Sequence, residues 1–278
     1  MSSDDHPQAT LTFVGTATVL VTLGSFTLLT DPNFLHRGQR AYLGKGLWSR
    51  RLTQPALDPD ALPPLDAVVL SHLHGDHFDR VARRALPRRQ PVITTPQAAR
   101  RLGRWGFEAR PLETWQQETL TKGSERLTVR ALPAVHARGA MGALLPPVMG
   151  SLIEHTAGPT RTRIYVSGDT LTGEHVTEIA RREPDVDVVV THLGGTRVLM
   201  HTVTMDALQG VDFLRRVRPR RAVPVHYDDY GVFRSPLSDF VRGAAAAGLG
   251  ELVRTVDRGD TYDVRSDEVS AARAPRTA

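Results

Sequence analysis

Residues 67–79 read Ala67-Val68-Val69-Leu70-Ser71-His72-Leu73-His74-Gly75-Asp76-His77-Phe78-Asp79. A short apolar run is followed by three histidines and an aspartate within six positions. The run is brief and β-branched, which predicts a strand, and a helix is expected from Phe78. At an extended strand end, residues two apart project to the same side, so His72 and His74 offer two imidazoles to one cation. Gly75 permits a sharp bend without a Cβ penalty, and the adjacent Asp76-His77 pair is then free to serve a second cation nearby. Imidazoles crowded this closely repel one another when protonated, a cost that a bound cation removes.

Composition limits what that cluster can do. The 278 residues include no cysteine, which excludes a disulfide framework, a thiolate zinc site, a Cys nucleophile and a Cys-ligated iron–sulfur cluster. Any metal site therefore uses His and carboxylates. Hydrophobic residues make up 40% and charged residues 23% of the chain, as in ordinary globular proteins, and no apolar stretch approaches the roughly 20 residues of a membrane-spanning helix. Residues 1–10 carry neither a basic n-region nor an apolar h-region, which points to a cytoplasmic chain. The net charge is +5, and all the basic residues but Lys45 and Lys122 are arginines. That balance suits an anionic partner, but the charges are scattered among acidic residues and do not select one.

N-terminal to the histidines, Thr10–Val14, Ala17–Val21 and Phe26–Thr30 predict a strand meander ended by Asp31-Pro32-Asn33. Phe34–Pro55 lacks periodicity and carries Arg37, Arg40, Tyr42, Lys45 and Trp48; loops of this length are usually functional or disordered. Further strands are predicted at Val92–Thr95, Glu118–Leu120, Leu127–Ala134, Met149–Glu154, Arg163–Ser167, Val186–Thr191, Ala222–Val225 and Leu252–Val256. Helices are predicted at Pro96–Trp105, Gly173–Arg182, Met205–Val217 and Leu237–Ala247. This order requires two mixed sheets with helices on their outer faces. No repeat or domain-scale linker intervenes, so residues 1–264 are expected to form one domain, with a disordered tail over 265–278.

The histidine stretch and its strand resemble the metallo-β-lactamase superfamily. The family pattern continues with a single His at a strand end, then an Asp, then a C-terminal His. Leu132-Pro133-Ala134-Val135-His136, Ser167-Gly168-Asp169-Thr170 and Val223-Pro224-Val225-His226 supply these in order, each after a predicted apolar strand, so the resemblance spans residues 10–260. It implies an α/β four-layer αββα sandwich with the site at strand C-terminal ends. It also implies two divalent ions, the first on His72, His74 and His136 and the second on Asp76, His77 and His226, with Asp169 bridging. Such nitrogen and oxygen donors suit Zn2+, and Mn2+ or Fe2+ are compatible. By the same resemblance, hydroxide held between the ions is the nucleophile and Asp76 orients it. The iron-dependent flavodiiron reductases of this fold carry Glu where His74 stands, which disfavours redox chemistry.

Leu29-Thr30-Asp31-Pro32, His72–Asp79 and Gly168-Asp169-Thr170 are most similar to the branch holding ascorbate-6-phosphate lactonase and N-acyl-phosphatidylethanolamine phospholipase D. That implies hydrolysis of a lactone or phosphodiester, and the basic loop favours a small substrate bearing an anionic group. The short loop after Val14-Gly15-Thr16 lacks the flap of true β-lactamases. Arg37, Arg40 and Lys45 are the candidates for binding an anionic group, with the apolar segment Ala137–Val148 as a facing wall. His192, at another strand end, is a candidate proton donor or substrate binder, and His201 a weaker one. His6, His36, His155 and His175 are expected on the surface or in loops. Asp79 is expected to cap a helix, and Asp228 or Asp229 to hold a ligand imidazole or lie in solvent. A nucleic-acid phosphodiesterase of the same fold is the alternative reading; aromatic residues at 6% and the lack of an inserted clamping domain speak against it. A homo-oligomer is compatible with the sequence.

Overall fold

The computed structural model describes residues 8–139, 142, 144–198 and 201–271. The expected meander is β1 (Ala9–Gly15), β2 (Thr18–Leu23) and β3 (Phe26–Thr30). The aperiodic stretch after it contains a short hairpin, β4 (Arg40–Tyr42) and β5 (Trp48–Arg50). There follow β6 (Ala67–Leu70), α1 (Arg80–Ala85), β7 (Val92–Thr94), α2 (Pro96–Arg104) and β8 (Ala109–Pro111). Next come β9 (Gln117–Lys122), β10 (Glu125–Pro133), β11 (Met149–Ala157), β12 (Thr160–Val166), α3 (Glu174–Arg182) and β13 (Val188–His192). A ribbon of β14 (Arg197–Val198) and β15 (His201–Thr202) precedes α4 (Ala207–Val217), β16 (Arg221–Val225), α5 (Leu237–Ala246), β17 (Thr261–Asp263) and β18 (Glu268–Ser270).

The strands form two mixed sheets, ordered β18-β17-β1-β2-β3-β6-β7-β8 and β16-β13-β12-β11-β10-β9. Alternation along each strand explains the layering. Ala67 and Val69 of β6 and Val188 and Val190 of β13 face the core between the sheets, with Phe13, Phe26, Leu127 and Ile153. Val68 and Leu70 face outward onto Ala82 of α1 and Leu102 of α2. Val189 faces Ile179, Phe213 and Phe240 of α3, α4 and α5. Strands buried on both faces read as continuous apolar runs, which is why these were legible. The result is the expected αββα sandwich. Among the described residues, no helix is long and apolar enough to cross a membrane.

Asp79 and Asp206 set helix starts: Asp79 accepts from Val81 N and Ala82 N, and Asp206 from Gln209 N. Two expectations near the C-terminus are corrected. Leu252–Val256 is not a strand; Gly250–Leu252 is a 3₁₀ turn, with one bridge from Val253 to Ala222. Order also continues past residue 264, because β18 pairs with β17 and Asp267 accepts hydrogen bonds from Arg221, Arg254 and Tyr262. Residues 272–278 of the expected tail lie outside the described residues.

The strands β3, β6 and β7 run parallel, as do β12, β13 and β16. Their C-terminal ends open onto one edge of the sandwich, where a buried polar network joins the loops. Arg51 and Asp229, both fully buried, pair at 3.2 Å. Arg51 also donates to Asn33 Oδ1, whose amide donates to Gly75 O at 2.9 Å. The Tyr230 hydroxyl donates to Asn33 Oδ1, and Asp229 accepts from Thr16 N and the Thr53 hydroxyl. Burial opposes ionisation of Asp229, but the guanidinium groups of Arg51 and Arg258 outweigh it and lower its pKa. Asp229 was expected beside a ligand imidazole or in solvent; it holds neither place, being taken up by these partners. Removing one partner of a buried ion pair typically costs about 3–5 kcal/mol. Arg51→Met is therefore expected to lose about that much in denaturant unfolding, and a loss under about 1 kcal/mol would show that the network does not hold the loops.

Candidate metal centre

Six strand ends deliver the site. Asp31 follows β3, His72 to His77 follow β6, His136 follows β10, Asp169 follows β12, His192 ends β13 and His226 follows β16. His72 Nε2 lies 2.9 Å from His74 Nδ1, and His136 Nε2 lies 3.4 Å from the same atom. In a second group, His77 Nε2 lies 3.3 Å from Asp169 Oδ2, and His226 Nε2 lies 3.5 Å from Asp76 Oδ2. Within each group the donor atoms lie within 4.8 Å of one another. The groups adjoin, with the rings of His72 and His77 4.2 Å apart. All seven residues expected as ligands thus come together, and all but the half-buried His74 are buried.

The other ring nitrogens fix the orientation. His136 Nδ1 lies 2.8 Å from Val203 O and His226 Nδ1 3.1 Å from Leu193 O, each geometry suited to an N–H donating to the carbonyl. That turns Nε2 of both rings into the site. His226 itself has φ 63°, a left-handed backbone that costs energy in a non-glycine residue. The neighbouring strand end makes room for it: a Cβ on Gly194 (φ +110°) would lie 2.6 Å from His226 O. Asp76 Oδ1, His77 Nε2, Asp169 Oδ1 and His226 Nε2 are buried without a hydrogen-bond partner among the described residues. Each such atom costs about 1–3 kcal/mol, and convergent nitrogen and oxygen donors of this kind fit a divalent cation.

A third group, Asp31, His77 and His192, adjoins these, and of its members only Asp31 was not foreseen at the site. Asp31 Oδ2 lies 3.3 Å from His77 Nδ1 and 3.4 Å from His192 Nε2, while Asp31 Oδ1 accepts from Ser71 N at 2.7 Å and Ser71 Oγ at 2.9 Å. The available signal was its position at the end of a strand parallel to β6. His192 is fully buried behind His77, with its rings stacked 5.9 Å apart. Its Nδ1 lies 3.3 Å from Ser167 Oγ. Thr204, also missed, donates to Asp169 Oδ2 at 3.2 Å.

Charge divides the two groups. Burial, reinforced by the neighbouring imidazoles, holds His72 well below its ordinary pKa. Burial likewise brings His74 down to about 4 and lowers His136. Burial also opposes charge on His77, yet Asp169, Asp31 and Asp76 outweigh it and raise its pKa well above the usual value. His226 is raised in the same way, against burial, by Asp169 and Asp76. Asp169, despite burial, is held well below the carboxylate range by His226 and His77.

A cleft of about 770 Å³ opens beside His74. Arg40 and Lys45 line it, as do Leu144, Leu145 and Pro146 of the expected apolar wall. Residues 140, 141 and 143 of that wall lie outside the described residues. Arg37 does not line the cleft; it is exposed on the loop, with its backbone N–H bonded to Gln54. The sequence reading missed Arg80, Arg83, Arg101 and Arg104, which α1 and α2 bring to the same cleft. Gly75 has ordinary φ; its need is space, since a Cβ there would lie 2.6 Å from Tyr42 O. The β4–β5 hairpin thereby packs directly on the histidine loop. His201 is exposed on β15, and His36 is exposed beside Asp58. His175 is partly buried, 3.1 Å from the Thr170 hydroxyl, and His6 lies outside the described residues. His155 is a correction: it is fully buried in β11, 2.8 Å from Glu125 Oε2, because β11 turns that position toward Phe26.

These charges set a sign. In the metal-free protein the surrounding carboxylates favour the imidazolium form of His77 strongly and of His226 in the same direction, whereas burial favours the neutral form of the three imidazoles of the other group. A ring must lose its extra proton to bind a cation, so titrating metal-free protein with Zn2+ at pH 7 should release protons. The release should shrink as pH rises and fall in His77→Ala. Calorimetry in buffers of different ionisation enthalpy measures it, and no release at pH 7 would contradict this charge distribution.

Similarity to known proteins bears on the fold and the family. A family profile described as "Beta-lactamase superfamily domain" matches residues 27–227. The chain is 28% identical over 186 residues to UPF0173 protein YddR of Bacillus subtilis, covering 64% of this chain and 70% of that one. It is 24% identical over 239 residues to a UPF0173 metal-dependent hydrolase of Carboxydothermus hydrogenoformans, covering 86% and 93%. Among solved structures, an isothiocyanate hydrolase from Delia radicum gut bacteria superposes with a TM-score of 0.77 at 20% identity, covering 91% and 98%. With the profile spanning most of its length, the chain belongs to the beta-lactamase superfamily domain family.

Proposed function

We propose that this protein is a metal-dependent hydrolase that cleaves an ester-type bond, in a lactone or phosphodiester, within a small anionic substrate. The observation that carries the reading is two adjoining groups of convergent donors, the second with buried nitrogen and oxygen atoms left without hydrogen-bond partners among the described residues, beside a cleft rimmed by cations. His72, His74 and His136 would hold one divalent ion, and Asp76, His77 and His226 a second, with Asp169 between them; zinc suits the donors, as do manganese and iron. Bound there, such ions supply Lewis acidity and a water acidified toward neutrality.

The chain's own residues do the rest. Burial opposes ionisation of Asp76, but His77 and His226 lower its pKa, so it is ionised at neutral pH. Its unpartnered Oδ1 can orient a water and accept its proton. His192, shut behind His77, acts on Asp31 and thereby holds the His77 ring rather than meeting substrate. Burial lowers its pKa despite Asp31, which keeps it neutral for that role. Arg40 and Lys45 add to the positive charge that draws an anionic substrate into the cleft beside His74. With no cysteine and no G-x-S-x-G stretch in the sequence, no covalent enzyme intermediate is expected.

The test is a panel of lactones, phosphodiesters, thioesters and, in view of the structural neighbour, isothiocyanates, offered to protein of measured metal content. Hydrolysis of at least one ester class is expected, with ¹⁸O from water entering the product in the first turnover. Asp169→Asn should lower kcat/KM by more than the roughly 10–100-fold typical of changes outside the ligand shell, with its circular dichroism unchanged. Wild-type turnover in that variant, or no hydrolysis of any class by metal-loaded protein, would contradict the proposal.

A further inference from the structure

The cleft beside His74 brings together two chemically distinct kinds of residue. In its lining Tyr42, Trp48 and Leu144 remain 45%, 57% and 56% exposed, with the Tyr42 and Trp48 rings 4.9 Å apart. Leu73 and Leu145 continue this wall inward. Large apolar side chains gathered at a cleft mouth mark a contact surface, whereas single ones scattered over a surface do not. The cleft's cations come from the hairpin itself, Arg40 and Lys45, and from α1 and α2, which among others bring Arg80, Arg83, Arg101 and Arg104. None of these six makes an ion pair with a described carboxylate. Elsewhere Arg110, Arg216 and Arg254 each have one. Asp79, the only carboxylate among the described residues of the cleft lining, accepts backbone hydrogen bonds at the start of α1 and from Phe34 and Leu35.

Two of these cations are held in place. The Arg83 guanidinium lies 4.1 Å from the centre of the Trp105 ring, and the Arg101 guanidinium 5.3 Å from the same centre. Stacking on one indole gathers two like charges without a carboxylate to separate them. An anion between them would relieve that repulsion through paired, directional hydrogen bonds.

We propose that this cleft selects an amphiphilic ester, whose anionic group pairs with Arg83 and Arg101 while an alkyl or acyl body lies along Tyr42, Trp48 and Leu144. The inference rests on the hydrolase reading for the word ester, and on the cleft alone for the selectivity. Leu73, Leu144 and Leu145 make the larger part of the wall aliphatic, and the Tyr42 and Trp48 rings are tilted at 51° to each other, which suits a flexible chain better than a base held between parallel faces.

Octanesulfonate is the probe, because it is anionic, resists hydrolysis and is a weak metal ligand. Calorimetry on the protein as purified should show it binding at least about tenfold more tightly than methanesulfonate, since each buried methylene adds affinity. It should also bind about tenfold more tightly than octyltrimethylammonium, and weaken as salt rises. Trp48→Ala should abolish the first preference and Arg83→Ala/Arg101→Ala the second; both sites are exposed, so the fold is retained. Equal binding of methanesulfonate, equal binding of the cationic amphiphile, or displacement of octanesulfonate by single-stranded poly(U) at lower concentration would each overturn the proposal. Selective octanesulfonate binding by a protein that hydrolyses no ester would refute the hydrolase reading alone. Ester hydrolysis without this selectivity would refute the present inference alone.

Discussion

His77 is shut away from solvent with three carboxylates, those of Asp31, Asp76 and Asp169, acting on its ring. Ionised carboxylates are not left in a protein interior without a counter-charge, because desolvation costs each of them several kcal/mol. In the metal-free chain a proton on His77 supplies that charge. On the hydrolase reading a divalent cation would supply that charge instead, and the orphaned oxygens of Asp76 and Asp169 would help to hold it. Much of the surrounding structure follows from keeping this cluster dry and its rings aimed.

The sandwich does so by distributing the cluster over six strand ends, so that no single loop bears the cost. Its strands hold their positions through cores on both faces, and backbone carbonyls of the connecting segments aim His136 and His226. The loops are then locked to each other by Arg51, Asn33 and Asp229. Through the Asn33 contact to Gly75 O, and the close packing of Gly75 on Tyr42, that lock also fixes the hairpin that walls the cleft. Site and cleft are thus one mechanical unit, in which a shift of the hairpin reaches the histidine loop directly.

What the sequence made legible were features with local causes. His72, His74, Asp76 and His77 stand together in the chain, and β6, β12, β13 and β16 read as apolar runs because both their faces are buried. His136, Asp169 and His226 followed only because a family pattern supplied their order; no local spacing links them to His72. Asp31 went unassigned, since only the parallel pairing of β3 with β6 brings it to His77. Arg83 and Arg101 were missed for a similar reason: each looks like an ordinary solvated helix residue until Trp105 gathers them. Arg37, by contrast, shared a loop with Arg40 but not a direction. Asp229 read as a surface carboxylate because its partner Arg51 is far away in the chain, and β18 was invisible because its strand holds only through Asp267 and β17.

The central claim is that the two donor groups hold two cations with Asp169 between them. Anomalous diffraction from crystals grown with Zn2+, recorded above and below the zinc absorption edge, tests it most directly. The account predicts two zinc peaks, one among His72, His74 and His136 and one among Asp76, His77 and His226, each within bonding distance of an Asp169 oxygen. A single peak, no peak, or zinc held only at surface histidines such as His36 or His201 would contradict it.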